Sequence, residues 1–451
     1  MRNSAITVWI PGLLVVLSPV VAPGDSLTNW TGEGLLCASG NAYWSNGNNW
    51  FGGTAPTSSA VHLGASAYCG DGCDFCACFA GQCFGGDEGS CTTRDDCDCC
   101  DAGSLVAQYT YTEGANPDHT FSSIEVEANS SFDMTLQKTG DNPLYATTEL
   151  SLVGHTTHKA ILDVDHSGLR PTDLKACKTT EIDVLTGTTM YALDELIAGC
   201  STADTTLTLK GGSSSVIDVG NYTRVNAFGT TRSSTLKLDG NVTLQPDNLE
   251  IFGGSSGSYL ATFHHYGTSA SIGTNTLSTL RMRAYSKLDV DRDVNYTVST
   301  NIDVDTNGVT TDAHIYMYSV GQDIAVIGAG NLTITAGASH AATLTMETGI
   351  LDVSPGTVYI GADGASQAAK LKIASGAADP ALDDVVIKER GVLDLRDSLT
   401  VVGILTVGEG ADNADVVTQT NDALLADVIV FKKTTTFTPT LLASGSVIAT
   451  N

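Results

Sequence analysis

LTMETGILDVSPGTVYIG, residues 344–361, decides the fold. Its apolar residues alternate with polar ones: Leu344 and Met346, then Leu351 and Val353, then Val358 and Ile360. Alternation at period two marks strands with one buried face. Gly349, Pro355 and Gly356 interrupt the runs and predict turns. Each run is too short to bury its apolar side alone, so it needs a neighbour with the same pattern.

The neighbours are in the sequence. LSLVGHTTHKAILDVD (150–165), LTLKGGSSSVIDV (207–219), LKLDGNVTL (236–244), LRMRAYSKLDV (280–290) and VIKERGVLDL (386–395) repeat the phrase. Its form is apolar-x-apolar, then a polar or Gly-rich turn, often closed by apolar-Asp-Val. Recurrence about every 27 to 44 residues lies within the range of coiled repeat folds. Stacking coil on coil places Leu on Leu and satisfies strand hydrogen bonds between coils. Antiparallel sandwiches also have short strands with turn signals. The recurring Asp-Val phrase and an aromatic content of only 6% favour the stack. The expectation is an all-β chain, an elongated parallel β-helix or β-solenoid over residues 105–451, with a disulfide-rich insert near the N-terminus.

Asp plus Glu number 50 against 22 Lys plus Arg, a formal charge of −28. Such a polyanion repels nucleic acid and anionic lipid and attracts divalent cations. Arg2 followed by the apolar run 6–22 reads as a signal peptide over residues 1–22, cut after Ala22. Pro11, Gly12 and Pro19 break that run, which argues against an anchor. The expected location is secreted, extracellular or at the cell surface, with no membrane span in the mature chain and no nucleic-acid partner.

Residues 23–68 read as an N-terminal capping segment. NWTGEG (29–34) precedes YWSNGNNWFGGTAPTSSAVHLGA (43–65), which carries Trp44, Trp50, Phe51, Pro56 and the alternation Val61, Leu63. Tryptophan, then Asn-Trp with glycines, then a proline and a strand, resembles the start of secreted bacterial β-helical proteins of the autotransporter-passenger type. The resemblance implies a β-helix whose first coil is covered by large aromatics. That family's C-terminal translocation barrel is not expected, because no series of membrane strands follows residue 400.

Ten of the twelve cysteines crowd one region: Cys37, then Cys69, Cys73, Cys76, Cys78, Cys83, Cys91, Cys97, Cys99 and Cys100. The insert 69–104 has few apolar residues for a core, so it requires cross-links, each worth about 2–4 kcal/mol. Cys73-x-x-Cys76 and Cys97-x-x-Cys100 also match four-cysteine zinc spacing. Export and the unused neighbouring cysteines favour disulfides. The remaining two, Cys177 and Cys200, are expected to pair across an excursion at 171–204, where MYALDELIAG (190–199) reads as a short helix. Sequons at Asn29, Asn129, Asn221, Asn241, Asn295 and Asn331 are glycosylation candidates.

Two loops place oxygen ligands on alternate residues before a glycine: Asp163, Asp165 and Ser167, and Asp303, Asp305 and Asn307. That is the first half of a calcium loop, lacking the Glu at the twelfth position. Calcium is the cofactor they would take. Asp289, Asp291 and Asp293 form a third trio. His155, His158 and His166 near Asp163 have the composition of a transition-metal site, and Asp394, Arg396 and Asp397 that of a glycosidase pair. No nucleophile motif, phosphate loop or dinucleotide fingerprint occurs, and no catalytic residue is assigned. The expected function is a non-enzymatic secreted structural protein: a fibre, surface-layer or adhesin component that self-assembles into filaments or binds other surface components. The alternative is a carbohydrate-binding or polysaccharide-degrading β-helix protein.

Overall fold

Leu162 shows how the alternation becomes a fold. It occupies the centre of the strand Ala160–Val164 and is fully buried. Leu136 of Asp133–Lys138 lies in register on one side and Ile182 of Thr179–Val184 on the other, both fully buried. All three strands run parallel. The column continues through Leu209 and Leu238 to His265. Residues one step away, such as Ile161 and Asp163, face outward and are half-buried.

In this computed structural model the chain forms two long parallel sheets of fourteen and eighteen strands and one two-stranded hairpin, with no helix among the described residues. The structure describes residues 28–29, 41–43, 45, 55–56, 58, 60–64, 77–79, 82–84, 104–110, 119–128, 133–227, 231–266, 275–290, 296–306, 313–319, 323–327, 330–348, 350–374, 381–396, 399–409, 415–418, 424–431 and 446–449. The chain is a β-solenoid, and one continuous core of Leu, Ile, Val and Ala runs through its described coils. Coil length varies: Ala160 pairs with Thr180 on the next coil, and Ala313 with Ala342. Coils thus lie near or below the short end of the spacing of the recurring phrase, because several of them do not carry it.

The longer sheet is bent. Leu144–Val153 buries Leu144 and Ala146, exposes the next two residues, then buries Leu150 and Leu152. The register shifts at this bend in coil after coil along the sheet, among them between Phe121 and Ser123, Pro171 and Asp173, Val219 and Tyr222, and Val353 and Thr357. Each coil therefore has three sides, two from this sheet and one from the shorter sheet. The turn expected at Pro355 and Gly356 is such a bulge inside one strand, Ile350–Ile360. Proline, lacking an N–H, is tolerated where the ladder is already interrupted. Gly356 is needed because a Cβ there would lie 1.7 Å from the Gly330 carbonyl oxygen.

Two corners are single residues in the left-handed region. Lys178 (φ 62°) joins Leu169–Cys177 to Thr179–Val184, and Ala284 (φ 53°) joins Asn275–Arg283 to Tyr285–Val290. The preceding coil passes each corner at a glycine. A Cβ on Gly154 would fall 1.8 Å from Thr179 O, and one on Gly253 would fall 1.7 Å from Tyr285 O.

Residues 171–204 are not an excursion, and 190–199 is not a helix. Thr189–Ala192 and Glu195–Ala198 are strands, both paired in parallel with Val216–Asn226. Met190, Ala192, Leu196 and Ala198 are buried at period two on either side of the bend, whereas Leu193 is 52% exposed at it. Stacking on neighbouring coils overrides the local helical spacing of Met190, Leu193 and Ile197. Cys177 and Cys200 are disulfide-bonded, with Cα atoms 5.2 Å apart, linking successive coils at one corner. This bridge lies far along the chain from the N-terminal insert. Of that insert the structure describes the antiparallel hairpin Ala77–Phe79 with Gln82–Phe84, in which Cys78 stands opposite Cys83. The side chains of those two, and Cys37, Cys69, Cys73, Cys76, Cys91, Cys97, Cys99 and Cys100, lie outside the described residues, as does the expected signal segment 1–22.

Candidate functional site

The outer face of the shorter sheet carries a polar column beside a mixed one. The polar column runs Gln108, Gln137, Asp163, Asp183, Lys210; the mixed one runs Val106, Thr135, Ile161, Glu181, Thr208. They sit side by side because strand side chains alternate, so residues two apart share a face. Between them lies a shallow groove of about 310 Å³, lined by Thr135, Gln137, Asp163, Glu181 and Asp183 among others.

Hydrogen bonds tie the first column together. Gln108 Nε2 donates to Gln137 Oε1 at 2.7 Å, and Gln137 Nε2 donates to Asp163 Oδ2 at 3.1 Å and Asp165 Oδ2 at 2.8 Å. Burial, then the nearby Asp165 carboxylate, pushes Asp163 up to about 7. Burial and the neighbouring Glu181 also raise Asp183. Burial opposes ionisation of Glu181 too, but Lys159 at 2.7 Å and Lys210 at 2.9 Å outweigh it and hold its carboxyl below the usual range. The groove therefore sets a carboxyl group that is partly protonated near neutrality beside the Glu181 carboxylate, which the two lysines keep ionised. That arrangement can donate to and accept from hydroxyl groups.

The first calcium loop is divided. Asp163 and Asp165 converge on Gln137, whereas Ser167 Oγ accepts from the Thr189 backbone N–H at 3.3 Å and Ser167 O accepts from Lys138 Nζ at 3.0 Å. Lys138 is fully buried, and burial pulls its pKa down to about 8. In the second loop Asp305 faces guanidinium groups, 2.7 Å from Arg281 Nη2 and 3.2 Å from Arg283 Nε. Asp303 sits on the neighbouring outward position, its pKa raised by burial against the pull of Arg281. Asn307, Asp291 and Asp293 lie outside the described residues; Asp289 pairs with Lys287.

The three histidines point to separate partners. His155 Nδ1 lies 3.1 Å from Thr157 Oγ1, His158 Nδ1 lies 3.2 Å from Asp133 Oδ1, and His166 Nδ1 lies 3.4 Å from Ser167 O. Asp394 is buried and pairs with Arg396 Nε at 2.8 Å and Lys370 Nζ at 3.8 Å; Asp397 lies outside the described residues. Among the sequons, Asn221 Nδ2 donates to Asp194 Oδ1 at 3.1 Å, and Asn331 Oδ1 accepts from the Thr357 backbone N–H at 2.9 Å. Asn241 is half-buried in a turn. Asn129, Asn295 and the side chain of Asn29 lie outside the described residues.

The sequence reading missed Gln137, Glu181 and Asp183. A signal for Asp183 was present: Leu162-Asp163-Val164 and Ile182-Asp183-Val184 are the same phrase on consecutive coils, and parallel register stacks their aspartates. No protein-family model, curated protein or solved structure matches the chain. The class rests on the fold alone: a parallel β-solenoid with an acidic groove on one flat face. No described helix is long and apolar enough to cross a membrane.

Proposed function

We propose that the chain is an extracellular structural or adhesive rod. The observation that carries this reading is the charge zipper along the bent sheet. Arg224 Nη1 reaches Glu195 at 2.8 Å and Arg224 Nε reaches Glu250 at 3.2 Å; Arg283 bridges Glu250 at 3.5 Å and Asp305 at 3.2 Å. Each pair joins one coil to the next, so load along the axis is shared by backbone ladders and side chains together. Networks of this kind contribute more than isolated surface pairs. The signal segment, the sequons and the aromatic capping segment that resembles autotransporter passengers support an extracellular site of action. Electron microscopy and sedimentation velocity of the full-length protein, with and without calcium, test the reading. Elongated rods or end-to-end filaments are expected; compact particles of low axial ratio in both conditions overturn it. Calcium is the ion that Asp163 and Asp165 would take.

A second reading is favoured by the groove. Asp163 and Asp183, two carboxyl groups that line its open face, can hydrogen-bond sugar hydroxyls. Affinity electrophoresis against acidic and neutral polysaccharides tests it. Retardation that disappears in Asp163→Asn and Asp183→Asn is expected; unretarded migration with every polysaccharide removes this reading.

A further inference from the structure

Away from the acidic groove, on the bent sheet, a histidine and two glutamates converge from strands that the cysteine-rich insert separates in sequence. His62 lies on Val61–Gly64, directly opposite Glu125 of His119–Glu127. Val61, Leu63, Ile124 and Val126 point into the core and are fully buried. Alternation therefore turns His62, Glu125 and Glu127 to the same outer face. His62 is nevertheless only 7% exposed, on a strand paired with Thr28–Asn29 on one side and His119–Glu127 on the other. Its Nε2 lies 3.3 Å from Glu125 Oε1 and 3.0 Å from Glu127 Oε2, and one ligand atom from each residue fits within 4.8 Å of the other two.

We propose that His62, Glu125 and Glu127 form a three-ligand site for a zinc-class divalent ion that clamps the strand before the insert to the strand after it. Bonds of about 2.0–2.1 Å in tetrahedral geometry set ligand atoms roughly 3.3 Å apart, and both edges from His62 are near that length. An imidazole nitrogen with two carboxylate oxygens selects zinc-class ions over calcium or magnesium, which take shells of oxygen. Three protein ligands leave the fourth position open to the solvent side. Glu125 and Glu127 stand two residues apart on one outer face, and a dication between them relieves the repulsion of like charges there. The site is independent of the groove and of the rod reading.

The test uses the full-length, metal-free protein with free thiols alkylated, so that cysteines do not compete. Calorimetric titration with Zn²⁺ and visible spectra with Co²⁺ should show one equivalent bound through nitrogen and oxygen ligands. His62→Ala and Glu127→Gln should each weaken binding by at least about tenfold, since even indirect supports of a metal cost that much. Glu127→Gln keeps an acceptor for His62 and serves if His62→Ala fails to fold. Hydrogen exchange of residues 61–64 should slow on adding Zn²⁺ in the parent and not in either variant. Absence of stoichiometric Zn²⁺ binding, or binding unchanged in Glu127→Gln, overturns the proposal and leaves the cluster as a hydrogen-bonded contact.

Discussion

His265→Leu should make the protein more resistant to acid. His265 continues the buried column Leu209–Leu238, is 7% exposed, and has its pKa pushed down to about 4 by burial and then by His264. The folded state thus holds a neutral imidazole that the unfolded chain protonates near 6.5. As pH falls from 6.5 the unfolded state binds a proton that the folded state refuses, so stability is lost, and the loss is complete near 4. At about 1.36 kcal/mol per unit, this one group removes roughly 2 kcal/mol by pH 5 and roughly 3 kcal/mol by pH 4. Leucine fills the rung as Leu238 does and does not titrate. Urea unfolding followed by circular dichroism at pH 7 and pH 4.5 gives the comparison, with His155→Leu, a histidine outside the core on another coil, as control. The advantage of His265→Leu over the parent should grow by about 2–3 kcal/mol between the two pH values. An advantage of the same size at both pH values refutes the argument, because His265 would then not be held neutral by the core.

Leu162→Ala opens a cavity between Leu136 and Ile182, whose spacing is fixed by the ladders on both sides. A loss of about 3–5 kcal/mol is expected by urea unfolding, against less than about 1 kcal/mol for the outward Ile161→Ala. Gly253→Ala drives a methyl group into the Tyr285 carbonyl, 1.7 Å away, and should lower the melting temperature far more than Gly257→Ala, where a Cβ meets only the edge of the Tyr285 ring at 3.5 Å. Equal effects would show that the corner can move aside. Replacing both Cys177 and Cys200 with serine releases a closed segment of 23 residues and should cost about 3 kcal/mol. Unchanged stability in reducing and non-reducing buffer would contradict it.

The strand pattern was legible because it is local. Leu344, Met346, Leu351 and Val353 bury themselves where period two says they must. The pairing of Cys177 with Cys200 was legible for a different reason: the other cysteines are crowded into one distant segment. The helix expected at 190–199 failed because Met190, Leu193 and Ile197 also fit helical spacing, and only the neighbouring coil breaks the tie. The surroundings of Asp305 were not legible for a related reason. Nothing near Asp305 in sequence announces Arg281 and Arg283, which reach it from the previous coil.

By itself, then, the chain determined that strands form, which side of each is apolar, and that copies of the phrase must stack. The tertiary structure decided where coils bend, how long each one is, and which outward side chains become neighbours. Those neighbours depend on corner geometry: a left-handed Lys178, a glycine passing under a carbonyl, a proline at a bulge. A change of one residue in any coil would shift every partner on the next. Thus Asp163 meets Asp183, and His62 meets Glu125 across the insert, through register alone.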